Sequence, residues 1–199
     1  MEGHLAKSPP DTARASKEVQ KAYAIYESTG DTQKMATCMH TLATAEIKGA
    51  DYKKASEALA KSKALFVQAG DIYGHATVLD TLMGLYLEAG MYFEAMRVGQ
   101  DRVALFHDAG DMSGEGFALL RLGQAYLQNE DHDKAEKVAQ TALGTFAAIS
   151  NMDGLQQAKT LLDDAKQAQS VESIGIALSR VQDFVHIPAT LIVDPGLTK

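Results

Sequence analysis

Residues 64–76 read ALFVQAGDIYGHA, and residues 104–116 read ALFHDAGDMSGEG, so a helix end, a turn and a helix start return after forty positions. Weaker copies stand in the same phase at 24–36, AIYESTGDTQKMA, and at 144–156, GTFAAISNMDGLQ. Several unrelated residue types keep that phase, which separates a structural repeat from one chance dipeptide. Aromatics fall at Tyr26, Phe66, Phe106 and Phe146. Gly30, Gly70 and Gly110 are followed by Asp31, Asp71 and Asp111, with Ser150 and Asn151 as the fourth pair. Leu42, Leu82, Leu122 and Leu162 share another phase, Ala55, Ala95 and Ala135 a third, and Tyr52, Tyr92 and His132 a fourth.

Glycine after a helical pattern suits a left-handed helix terminus, and the Asp or Asn after it caps the next helix by accepting from a free backbone N–H. A second break follows about twenty residues on, at Gly49-Ala50-Asp51, Ala89-Gly90-Met91 and Asn129-Glu130-Asp131. Each unit is therefore a pair of antiparallel helices. The pattern predicts nine, near 12–29, 32–48, 52–69, 72–89, 92–109, 112–128, 132–149, 152–169 and 171–185. Apolar residues inside them recur at helical spacing, as in Leu79, Leu82, Met83, Tyr86 and Leu87. Ala55, Ala95 and Ala135 read as points where paired helices approach closely. One hairpin cannot bury both its faces, so the expected fold is all-α, an α-solenoid of stacked pairs.

The bulk numbers agree with that reading. In 199 residues the four prolines, Pro9, Pro10, Pro188 and Pro195, all lie outside 11–187. The organisation expected is an N-terminal extension at 1–11, a repeat domain at 12–185 with units near 32–71, 72–111, 112–151 and 152–185, and an extended tail at 186–199. A net charge of −7 without a Lys/Arg run disfavours nucleic-acid binding and an anionic membrane surface. No apolar run is long enough to span a bilayer, so direct membrane insertion is not expected. The lone Cys38 reads as a small buried apolar side chain and is compatible with a reducing compartment. The expected location is the cytoplasm, or an organelle lumen or stroma if a targeting peptide has been removed.

The segment RLGQAYLQNEDHDKA, 121–135, resembles the tetratricopeptide repeat (TPR), whose first helix carries Leu-Gly and then Tyr, followed by a turn and an Ala. TLMGLYLEAGMYFEA, 81–95, matches through Leu82, Tyr86, Gly90, Tyr92 and Ala95, while in TLATAEIKGADYKKA, 41–55, Glu46 replaces the tyrosine. The period of forty, rather than 34, is similar to the repeats of polarity-scaffold adaptors and kinesin light chains. The resemblance implies a right-handed superhelix whose first helices line a concave groove.

It also implies which positions that groove presents. They are Thr37, His40, Thr44 and Lys48 in one unit, and Thr77, Asp80, Gly84, Leu87 and Glu88 in the next. Phe117, Leu120, Arg121, Gln124, Leu127 and Gln128 follow, and then Gln157, Thr160 and Asp164. Thr44, Gly84 and Gln124 replace the asparagine of the carboxylate clamp found in chaperone-binding members, so no such clamp is expected. Phe117, Leu120 and Leu127 suit an apolar or amphipathic helical partner, or else they pack on neighbouring helices. Val171, Ile174, Leu178, Val181 and Val185 have the spacing of a capping helix, and Ile187, Leu191, Ile192 and Val193 form a second candidate partner surface in the tail.

No nucleotide loop, His-Glu-x-x-His or nucleophile elbow is present. Asp131, His132, Asp133 and Glu136 could attract a divalent cation, but His132 occupies the slot of Tyr52 and Tyr92. Gly114-Glu115-Gly116 resembles a phosphate-loop fragment without its strand. The reading is a non-enzymatic scaffold, without cofactor or metal, that binds protein partners. Alternatives are a structural subunit of a larger, organelle-membrane-associated complex and a ligand- or peptide-responsive regulator.

Overall fold

A computed structural model of the chain describes residues 12–185, with side chains described for 14–176. Eight helices follow one another: α1 (Thr12–Thr29), α2 (Thr32–Lys48), α3 (Tyr52–Ala69), α4 (Ile72–Glu88), α5 (Tyr92–Asp108), α6 (Met112–Gln128), α7 (His132–Ala148) and α8 (Met152–Val185). All seven links between them are closed the same way. The residue after each link's left-handed residue donates its N–H to a carbonyl five back: Asp31 to Tyr26, Asp51 to Glu46, Asp71 to Phe66, Met91 to Tyr86, Asp111 to Phe106, Asp131 to Tyr126 and Asn151 to Phe146. This bond satisfies carbonyls that a helix end leaves open.

The left-handed residue is glycine at Gly30, Gly70, Gly90 and Gly110, with φ of 66° to 70°. At the other three links it is Ala50, Glu130 and Ser150, with φ of 54° to 60°. Gly49 is an ordinary right-handed C-cap with φ −84°, so the glycine of that turn and its left-handed position are different residues. After each link the Asp or Asn side chain caps the next helix, as Asp71 does to the Gly74 N–H at 2.8 Å and Asn151 to the Gly154 N–H at 2.9 Å. Met91 is the exception and supplies no side-chain cap.

The ninth helix does not exist as a separate element. The positions expected to break it are Ser170 and Val171, where earlier units place a left-handed residue and a capping Asp. Valine cannot cap, and Ser170 donates to the Lys166 carbonyl at 2.9 Å, inside the helical ladder. Helix α8 therefore runs through for 34 residues, about 50 Å. Val171 and Ile174, expected to cover the open end of the stack, are 64% and 58% exposed. The side chains of Leu178, Val181 and Val185, and the whole tail with Ile187, Leu191, Ile192 and Val193, lie outside the described residues.

The core repeats with the sequence. Phe66, Phe106 and Phe146 are buried, and each lies against a glycine in the first turn of the following helix: Gly74, Gly114 and Gly154. A methyl group at any of the three would overlap the ring. In the first unit the glycine's place is taken by Lys34, whose ammonium lies 5.3 Å from the Tyr26 ring centroid. Gly116 lies against the Phe146 ring in the same way. The Gly114-Glu115-Gly116 run is thus explained by two phenylalanines. Ala55, Ala95 and Ala135 are wholly buried, as their close-approach reading requires. Each buried Phe contributes about 1.5–3 kcal/mol relative to exposure.

Candidate interaction surface

Helix α2 packs directly on α4, and α6 on α8, while no comparable pairing links consecutive odd helices among the described residues. Helices α4 and α6 meet instead through side chains, Tyr73 with Asp111 and Asp80 with Arg121, so the even helices are linked along the whole stack, and they are the helices that the resemblance assigns to the groove. Polar bonds tie this inner layer together from one unit to the next. Gln33 donates to Asp71 at 2.6 Å, and Tyr73 to Asp111 at 2.7 Å. The Gly114 amide and then the Tyr73 hydroxyl hold the Asp111 carboxyl below its ordinary range, and the same bond raises Tyr73.

Forty-residue spacing also places three equivalent trios where two even helices meet the odd helix between them. In the first, His40 Nε2 lies 2.9 Å from Thr81 Oγ1, and Ser62 donates to the Ala36 carbonyl at 2.9 Å. Thr81 donates its own proton to the Thr77 carbonyl at 3.0 Å, so His40 is the donor in their bond. In the second, Asp80 Oδ1 faces Arg121 Nε at 3.3 Å and Arg102 Nη1 at 3.4 Å. Arg102 is largely buried, its Nε has no hydrogen-bond partner, and burial lowers its pKa. In the third trio Leu120, Ala142 and Leu161 share one apolar cluster.

Those contacts divide the expected groove residues. Leu120 is 5% exposed, so it belongs to the core rather than to a free lining. Phe117 is half-buried, its ring edge-on to Phe146 at 5.0 Å, and Leu127 packs against the same core. Leu87 also leans on a core cluster. Thr37, Lys48, Thr77, Glu88, Gln124 and Gln128 are exposed, as are Gln157, Thr160 and Asp164. Thr44 is half-buried and donates to the Thr41 carbonyl, and Thr37 and Thr77 donate to carbonyls of their own helices. His40, Asp80 and Arg121 are occupied in the trios, and Gly84 lies beneath Arg121.

The acidic cluster around His132 disperses. Asp131 is bonded to Lys134, Asp133 accepts from Gln169 at 2.7 Å, and Glu136 accepts from Gln140 at 2.9 Å. Among the described residues no three His, Cys, Asp or Glu side chains are grouped to hold a metal ion. Cys38 is buried, and burial raises its thiol pKa. The sequence reading missed an apolar cavity of about 320 Å³ between α3 and α4, lined by Tyr52, Ser56, Leu82, Leu85, Tyr86, Glu88, Ala89 and Met91. Its signal was present in the repeat, as departures from the units on either side.

This architecture is a TPR-like α-solenoid. It is similar to crystal structures of the nearly identical TPR-like repeats assigned to a kinesin light chain of Podosopora anserina. One superposes with a TM-score of 0.61 at 18% identity, covering 86% of this chain and 85% of that one. Another superposes with a TM-score of 0.61 at 17% identity, covering 88% and 89%. No protein-family profile and no curated protein matches the sequence. At these identities the likeness establishes the fold. Among the described residues, no helix is long and apolar enough to cross a membrane.

Proposed function

We propose that the chain is a non-enzymatic interaction scaffold that binds a protein partner along its inner helix layer. The observation that carries this is that the even helices expose different side chains at equivalent positions of successive units, Thr37, Thr77 and Gln157 at one and Lys48, Glu88 and Gln128 at another, without any change in the helix register. Such freedom is what a solenoid uses to present different side chains on one continuous surface. Beside the charged Lys48, Glu88 and Asp164, the exposed inner-layer residues are uncharged. Thr37, Thr77 and Thr160 donate to carbonyls of their own helices and keep an acceptor oxygen, and Gln124 and Gln128 present amides, which suits hydrogen bonding with an extended or helical segment. The TPR-like fold of the kinesin light chain repeats supports an interaction role.

The test is affinity purification of the full chain followed by mass spectrometry, with Thr77→Arg and Gln124→Arg as paired variants. Both side chains are exposed, so unchanged helicity and melting temperature are expected, together with loss of the same stoichiometric partner from both variants. Retention of that partner by both would move binding off the inner layer. Phe117→Ala is a poorer probe, because its contact with Phe146 makes it a core residue as well.

A further inference from the structure

The α3–α4 and α5–α6 junctions are the same junction forty residues apart, yet one is filled and the other is open. At α5–α6, Met96 and Val103 pack against the cluster of Leu122 and Tyr126, and Gln100 donates to the Tyr126 hydroxyl at 2.9 Å. Tyr126 is consequently 4% exposed. At α3–α4 the equivalent residues are Ser56, Ala60 and Lys63, which are smaller or charged. Tyr86, the counterpart of Tyr126, is left half-buried beside the 320 Å³ cavity, and Ala60 offers its hydroxyl nothing. The cavity has a second cause on α4. Ala45, Ala125 and Ala165 share one phase, whereas the second member of that series is Leu85. A bulkier residue at a close-approach point keeps the helices apart, and α3 and α4 are the least tightly packed consecutive pair.

The lip of the cavity departs from the pattern too. Equivalent triplets are Asp51-Tyr52-Lys53 and Asp131-His132-Asp133, but here Met91-Tyr92-Phe93 stands; Met91 lines the cavity and is 42% exposed, and Phe93, two residues on and outside the lining, is 76% exposed. Met91 gives up the helix cap that aspartate supplies at both equivalent positions. A cap lost, a void and exposed apolar side chains at one place are separately unfavourable, and their coincidence marks a surface shaped for something outside the chain. The one charged side chain lining the cavity is Glu88, in a chain of net charge −7.

We propose that the α3–α4 notch is a docking pocket for an apolar anchor side chain of a partner polypeptide, flanked by a Lys or Arg that pairs with Glu88. The occupant supplies what Met96 and Gln100 supply one unit later: an unbranched apolar group against Leu82 and Tyr86, and a hydrogen-bond donor to the Tyr86 hydroxyl. This deepens the interaction reading by placing its anchor between the layers rather than on the inner face. Its variants differ from those that test the inner layer, so the two readings fail separately.

The experiment selects displayed random peptides of roughly 12 residues on the full chain and measures their binding to three variants. Ser56→Met/Ala60→Gln installs the side chains that fill the next junction. Met91→Asp restores the missing cap, and Glu88→Gln removes the rim charge. Selected peptides are expected to share an apolar residue beside a Lys or Arg, and to lose about tenfold or more in affinity for the filled variant. Against Glu88→Gln the loss is about two- to fivefold and shrinks with salt. Met91→Asp should raise the melting temperature while weakening binding, which keeps the proposal testable if the filled variant does not fold. No enrichment, or undiminished binding to Met91→Asp and the filled variant, overturns the proposal. So does concentration-dependent self-association of the wild type that these variants abolish, because the pocket then belongs to Phe93 of a second copy.

Discussion

The charged trio of Asp80, Arg102 and Arg121 and the apolar trio of Leu120, Ala142 and Leu161 occupy the same three places of successive units, one helix pair apart. The helices around them are equivalent, but α6 and α8 come closer at the apolar trio than α4 and α6 do at the charged one. One set holds the layer by electrostatic pairing with some exposure to water, the other by packing without it. The difference teaches that this fold is fixed by the turns and by the phenylalanine–glycine contacts, while the layer contacts only have to be mutually compatible.

The comparison breaks most sharply when chemistry is moved without its partners. Leu120→Asp places a lone carboxylate in the apolar trio, 5% exposed and facing Leu161, and is expected to cost about 3–5 kcal/mol in urea unfolding. A cost below 1 kcal/mol would show that water reaches this trio, and the contrast would collapse. The reverse change is milder. Asp80→Ala leaves the largely buried Arg102 without its carboxylate, for an expected loss of about 1–3 kcal/mol. The triple change Asp80→Leu, Arg102→Ala and Arg121→Leu copies the apolar trio whole and should return stability to within about 1 kcal/mol of the wild type. If the triple variant is less stable than Asp80→Ala alone, the trios are not interchangeable and the surrounding helices discriminate between them.

Much of the fold was legible because its determinants are local and repeated. Gly70, Gly110 and the Asp that follows each of them announce a turn whose dihedrals only a few residues tolerate, and Phe66, Phe106 and Phe146 mark the phase of the core. The missing break at Ser170 was harder, since apolar spacing continues past it and only the lack of a left-handed residue and a cap distinguishes it from a turn. The interaction surface was less legible still. Leu120 and Phe117 carry the residue types of a binding groove, but burial depends on what stands at 142, 146 and 161, which single-helix periodicity does not show. The cavity beside Tyr86 depends on small differences at 56, 60 and 85, visible only when units are compared position by position.

The smallest expected effect separates the histidine trio from the leucine one. Burial lowers the pKa of His40 below its ordinary value of 6.5, and lowers that of His75 as well, with Lys63 adding to burial and Asp101 opposing. The unfolded chain therefore binds protons to these imidazoles at a pH where the folded chain does not. Stability from both is fully present above about pH 6.5 and is lost as pH falls through the lower folded values. His40 keeps its bond to Thr81 in either state, because it is the donor, so the loss reflects desolvation of the imidazolium. Urea midpoints at about pH 7.5, 6.5 and 5.5 should fall on acidification, His40→Asn should flatten part of that fall, and His75→Asn should flatten another part. The leucine trio carries nothing that titrates, so Leu120→Ala should lower all three midpoints without changing their slope against pH. An unchanged slope in His40→Asn would mean that its imidazole is hydrated in solution, and the first trio would then not be part of the packed layer.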